Sequence, residues 1–145
     1  MKKLLTTLVF ASTLCLTSCF ASSLSYDSVK GSLGEDYNVS HVTIESVEKV
    51  FTIPEGVTVK DALFAKNSNT KDKIQVIFFA SIDDATKFFD YKDTDGYNAN
   101  LIALSRLKDS WYEEDGLECK LGMHNNVSYV GTTEAVKKAG LTIEL

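Results

Sequence analysis

Apolar and polar positions along residues 24–145 change period several times, and each change marks an element. Leu24, Val29 and Leu33 space a short helix over 24–34, interrupted by Gly31 and Gly34. Residues 38–47 alternate loosely with β-branched side chains and predict a strand through Val39, Val42 and Ile44. Pro54, Glu55 and Gly56 then make a turn around the only proline of the chain. A strand is expected over 57–66, and the polar run 67–72 connects it to the next apolar segment. That segment, residues 74–80 (IQVIFFA), is apolar at both parities, the pattern of a central strand covered on both sides or on one side with an aromatic edge contact.

The second half continues with two helical stripes. Ser81 precedes Ile82, Asp83 and Asp84 in a capping pattern, with the aspartates at the positive end of the dipole. Ile82, Ala85, Phe88 and Phe89 share one face. Tyr97, Leu101, Leu104, Leu107 and Trp111 recur at helical spacing, with Arg106, Lys108 and Asp109 mostly outward. Leu117, Cys119, Leu121 and Met123 alternate with Glu118, Lys120 and Gly122, the cleanest strand in the chain. His124, Asn125 and Asn126 turn it back into a strand over 127–130. A last helix begins near Thr132 and Thr133, carries Glu134 early and Lys137 and Lys138 late, and stops at Gly140.

This order predicts an α+β domain. An antiparallel sheet of about five strands would have its helices packed mainly on one face. Strand, turn, strand and capped helix occur at 57–91 and again at 117–140, which is either two duplicated ββα units or the ordinary likeness of two capped helices.

The N-terminus follows a different rule. Lys2 and Lys3 precede a charge-free apolar stretch at 4–16, and small and polar residues follow. That is the build of a secretory signal peptide, and the stretch is too short for a permanent membrane span. Leu16, Thr17, Ser18 and Cys19 then resemble the lipobox of bacterial lipoprotein precursors. The resemblance covers only these four residues and the signal before them. It implies cleavage behind Ser18 and acylation of the Cys19 sulfur, palmitate being a typical acyl group. Two or three acyl chains hold a protein stably at a membrane, whereas one holds it marginally. The organisation then expected is a signal peptide at 1–18, a lipidated tether at 19–23 and one α+β domain at 24–145. The competing reading is a conventional cut behind Ala21, with release of the protein.

Composition narrows the classes further. The 145 residues suffice for one domain, and 44% hydrophobic with 24% charged residues is an ordinary globular balance that argues against disorder or a repeat array. The formal net charge is −5; removal of Lys2 and Lys3 leaves 13 basic against 20 acidic residues, a mature charge of −7. With no basic cluster, no nucleic-acid partner is indicated. With Cys19 acylated, Cys119 has no partner inside the mature chain, and a disulfide scaffold is excluded.

Candidate chemistry is sparse. Asp93, Asp95 and Gly96 look like part of a calcium loop, but Tyr91 and Ile102 occupy the positions where an EF-hand needs its first and last acidic ligands, so a helix-to-helix turn is expected. His41, His124 and Cys119 are too few and too scattered for a transition-metal site, and alternation sends Cys119 inward as an inert thiol. No G-x-S-x-G elbow, P-loop or G-x-G-x-x-G occurs, so neither catalytic residues nor a cofactor are assigned. Residues 83–118 carry ten acids and four bases, a surface for a basic partner or simply two solvated helix faces. Asn38 and Asn126 begin N-x-S sequons that matter only in a eukaryotic secretory route.

The reading is therefore a membrane-anchored extracytoplasmic lipoprotein of the bacterial envelope, a non-catalytic binding or envelope-associated module attached to the cell membrane through Cys19. Its protein or small-molecule ligand is left open. The alternative is a secreted small enzyme or inhibitor-like domain. An exposed concave group among Phe78, Phe79, Phe88, Phe89 and Trp111 would favour binding. A cleft bringing His41 or His124 to a carboxylate would favour an enzyme.

Overall fold

The computed structural model describes residues 23–141. The signal stretch, the lipobox with Cys19 and residues 142–145 lie outside the described residues. The elements run α1 (Tyr26–Leu33), β1 (Tyr37–His41), α2 (Ile44–Val50), β2 (Val59–Asn67), β3 (Lys73–Phe79), α3 (Ile82–Phe89), α4 (Ala99–Asp115), β4 (Cys119–His124), β5 (Val127–Thr132) and α5 (Thr133–Lys138). One five-stranded sheet has the order β1-β2-β3-β5-β4, and every neighbouring pair is antiparallel. The fold is α+β.

β3 lies at the centre of the sheet, and its side chains divide between two cores. Ile74, Val76 and Phe78 pack with Val29 and Leu33 of α1 and Ala135 and Val136 of α5. Ile77 and Phe79 pack with Val47 of α2, Ala85 and Phe88 of α3, and Leu104 and Trp111 of α4. Helices therefore cover both faces of the sheet, not mainly one. The physical reason is already in β3, which is apolar at both parities and would leave a wet apolar face if only one side were covered.

The two ββα runs exist as β2-β3-α3 and β4-β5-α5, but α3 lies on one face and α5 on the other. β3 and β5 are antiparallel neighbours. A twofold axis exchanging them must pass through the sheet and would leave both helices on one face. No such symmetry relates the two units, and duplication receives no support from the fold.

Local chemistry explains most boundaries. The Ser81 hydroxyl accepts from the Asp84 amide, and Asp83 and Asp84 occupy the first turn of α3. Ile82, expected on the inner face, sits at the first helical position and is 57% exposed. Gly140 closes the last helix at a positive φ of 76°. The strand expected over 38–47 ends at His41, because the Thr43 hydroxyl accepts from the Ser46 amide and starts α2. Glu45 and Lys49 then pair across one turn at 3.6 Å.

Candidate functional site: a cleft where the chain enters the domain

The site begins with an irregularity in β2. The β2–β3 register shifts between Val59 and Asp61, a bulge at Lys60. Val59 and Ala62 both face the core under α3 and α4, so the bulge advances the alternation by one residue. Asp61 is thereby turned to the face carrying α1, where β1 ends at His41. The Asp61 carboxylate accepts from the Ala62 amide at 2.8 Å and meets His41 Nδ1 at 3.0 Å. The Tyr26 ring, from the first turn of α1, stacks on the His41 imidazole with centroids 3.6 Å apart and planes 7° from parallel. Burial, then Asp61 and Asp27, push the Tyr26 phenol above its ordinary value.

Beside this stack lies a cleft of about 300 Å³. It is lined by residues 23–26 of the N-terminal segment, by Lys60 and Asp61 at the bulge, and by residues 78–80 with Asn126, although the Phe78 and Phe79 rings are themselves buried. Asn126 is only 3% exposed and fixes the N-terminal segment. Its Oδ1 accepts from the Leu24 amide at 2.7 Å, and its Nδ2 donates to the carbonyls of Leu24 and Phe79, each at 3.0 Å. One side chain thus supplies to Leu24 the donor and the acceptor that a neighbouring strand would.

His41 and Asp61 have the arrangement of an imidazole oriented by a carboxylate, the base-and-orienter part of a catalytic triad. The third part is missing: no hydroxyl or thiol among the described residues is hydrogen-bonded to the ring. The His41 side chain is 63% exposed, so water reaches it freely.

The other candidates are dispersed. Cys119 is buried under α4, and burial pushes its thiol up against the smaller pull of Lys73 and Lys108. Such a thiol stays protonated and unreactive near neutrality. His124 ends β4 with a buried Nδ1 that has no hydrogen-bond partner among the described residues. No group of three or more His, Cys, Asp or Glu side chains able to hold a metal ion occurs among the described residues. In the 93–97 turn the Asp93 carboxylate accepts from the amides of Asp95 and Tyr97, at 3.0 and 2.9 Å. The carboxylate is spent on its own loop, which is the behaviour of a turn.

Phe78, Phe79 and Phe88 are buried in the core, Trp111 is 8% exposed, and Phe89 is half-buried. Phe78 and Phe79 border the cleft, but their rings are buried in the cores on opposite faces of the sheet. Part of the acidic 83–118 stretch is internally neutralised. Asp83 pairs with Lys87 at 2.9 Å, and Asp115 and Glu114 meet Lys73 at 3.0 and 3.3 Å.

Sequence reasoning missed Asp61, Tyr26 and Asn126. Asp61 reaches the site only through the bulge, which alternation cannot foresee. Asn126 reads as a turn former, and only its position at the close of β4 makes it a clamp. No family model matches this chain, and no curated protein or solved structure gives a match.

Proposed function

We propose that this chain is a membrane-anchored extracytoplasmic lipoprotein, held by acyl groups on Cys19, whose body is a non-catalytic binding module with its ligand site in the Leu24–Asn126 cleft. The anchor rests on the lipobox resemblance at residues 16–19 and the signal-like stretch before it. One structural observation joins anchor to site. Leu24 is pinned by Asn126 at the wall of the cleft, and only four residues lie between it and Cys19. The five residue steps from Cys19 to Leu24 span at most roughly 17 Å, so the cleft would be tied close to the bilayer surface.

The deciding experiment is mass measurement of the protein's N-terminus after expression in a bacterial host, with a Cys19→Ala control. The expected result is a chain starting at Cys19 and carrying acyl mass, recovered with membranes. In the control no acyl mass is found and the membrane fraction empties. An unacylated chain starting at Ser22 in the medium would refute the anchor.

The His41–Asp61 pair is the one observation that favours the enzymatic alternative. Hydrolysis of p-nitrophenyl acetate well above the rate given by free imidazole, abolished by His41→Gln, would favour it. Equal rates for the two proteins favour the binding module.

A further inference from the structure

We propose that β4 is the seam of a homodimer, in which the β4 strands of two copies pair antiparallel and join their sheets into one. β4 lies at one edge of the sheet, and its register with β5 runs unbroken from Cys119 to His124. The Thr133 amide donates to the Glu118 carbonyl, and on the other side of β5 the Phe79 amide donates to the Asn126 carbonyl. Both bonds fix the same alternation. Glu118, Lys120, Gly122 and His124 bond β5, whereas the amides and carbonyls of Cys119, Leu121 and Met123 point outward along the edge. These outward groups have no hydrogen-bond partner among the described residues.

An edge strand that stays unpaired is normally short, bulged, covered or charged. The opposite edge, β1, is the shorter one; its Tyr37 amide is taken by the Gly34 carbonyl, and the Tyr26 ring stacks on His41 at its end. β4 has no bulge and no proline, and Lys120 is its only Lys, Arg, Asp or Glu. Beside it, Leu121 and Met123, with Ala103 and Leu107 of α4, are only half-buried against the core under α3 and α4. Two identical edges also need a register. A twofold axis at Cys119, Gly122 or Met123 carries the pairing past one end of the strand, and an axis at Lys120 sets two ammonium groups directly opposite each other. An axis at Leu121 pairs Leu121 with its own copy and Cys119 with Met123, so all three outward residues are used, for about six inter-chain hydrogen bonds. It also sets Lys120 opposite Gly122, which has no side chain to crowd it, and Glu118 opposite His124, a carboxylate facing an imidazole that can donate. The edge is complementary to itself in that one register.

The test is sedimentation velocity of the mature chain, residues 19–145 with Cys19→Ala, so that no acyl chain drives association. A reversible monomer–dimer equilibrium is expected. Leu121→Pro removes an amide that no bond within the chain uses, and edge strands tolerate proline at such a position. It should raise the dimer dissociation constant roughly tenfold or more, because the symmetric pair loses two inter-chain bonds. The register is read by mixing Glu118→Cys with His124→Cys under oxidised glutathione. The mixture should give a disulfide-linked dimer and neither variant alone should, because in this register each position lies roughly 20 Å from its own copy. If Leu121→Pro fails to fold, the mixed disulfide decides.

A monomer at every concentration up to about 1 mM overturns the proposal. A dimer that a folded Leu121→Pro leaves intact, or one that forms no mixed disulfide, overturns it equally. The seam does not depend on the anchored reading: a chain that is not acylated but dimerises fails only the anchor, and an acylated protein whose Cys19→Ala form stays monomeric fails only the seam.

Discussion

Asn100 and Asn126 each hold a stretch of chain that no strand ladder or helix holds. Asn100 is fully buried at the start of α4; its Oδ1 accepts from the Thr52 amide, and its Nδ2 donates to the carbonyls of Thr52 and Phe88. Asn126 does the same for Leu24. Replacing either with Ala leaves buried or half-buried backbone groups without partners, at about 1–3 kcal/mol. Asn126→Ala should therefore lower the urea midpoint by that equivalent and unprotect the Leu24 amide in hydrogen exchange, while amides in β3 keep their relative order of protection. A unique effect at Leu24 is the signature of the clamp; uniform loss across the sheet would contradict it. Gly131 raises the opposite problem, excess volume. A Cβ there would lie 2.8 Å from Ile74 Cγ1 and 3.0 Å from the Lys73 carbonyl, in the middle of the sheet. Gly131→Ala should cost about 1–3 kcal/mol by overpacking. Gly122→Ala should cost less, since the atom it meets first, at 2.9 Å, is the outer end of the Tyr129 ring. Thermal unfolding of the two variants side by side checks the ranking. Neither asparagine announces itself in the sequence, because an Asn beside turn formers looks the same whether it is solvated or buried.

Among the elements, those with a strong period were legible. β3, α3, α4 and β4 follow from apolar spacing, and Ser81 from its cap. α2 was not, and its residues show why. Ile44, Val47 and Val50 are β-branched and favour extended backbone, whereas the helix is decided by the Thr43 cap and the Glu45–Lys49 pair. The end of α4 carries a second feature that alternation cannot show. Lys73, at the start of β3, is 7% exposed, lies 5.0 Å from the centre of the Trp111 ring, and reaches Asp115 and Glu114 in the last turn. The two carboxylates are not equal, for Asp115 is 14% exposed and Glu114 66%. Asp115→Asn should therefore destabilise by about 1–3 kcal/mol, below the full cost of breaking a buried pair because Glu114 remains. Glu114→Gln should cost under about 1 kcal/mol, as a solvent-screened partner does. Chemical denaturation of both variants tests this, and a larger loss for Glu114→Gln would reverse the assignment.

For the whole molecule, the two-sided sheet buries groups whose ionisation then opposes folding at high pH. Burial raises the Tyr129 and Tyr37 phenols above 10.0 and the Cys119 thiol above 9.0. The unfolded chain loses these protons first, so the stability these three groups contribute is fully present below about pH 9 and declines as pH rises through 9 and 10 toward the raised native values. Urea midpoints at pH 8 and about 10.5 should differ in that direction, and Tyr129→Phe should flatten part of the decline. Stability that increased over this interval would contradict the burial. At this scale the sequence told the α+β class and the sheet's composition, but not which helix covers which face. Apolar stripes as short as Val29 and Leu33, or Ala135, Val136 and Ala139, fit either side until the strand order is known.

That strand order has a kinetic corollary. β2 with β3, and β4 with β5, are hairpins whose partners are near in sequence, but β3 meets β5 across two intervening helices, joining Ile74 to Gly131. The loop entropy of that long-range closure must be met before either core is sealed, so the β3–β5 seam is the expected slow step of folding, which would show as folding rates slowed more by mutations at this seam than by mutations in the two hairpins. A chain in which only the two hairpins have formed would leave Phe78 and Val76 open along the unpaired edge of β3, and it is in this half-zipped form that the protein would call for a chaperone.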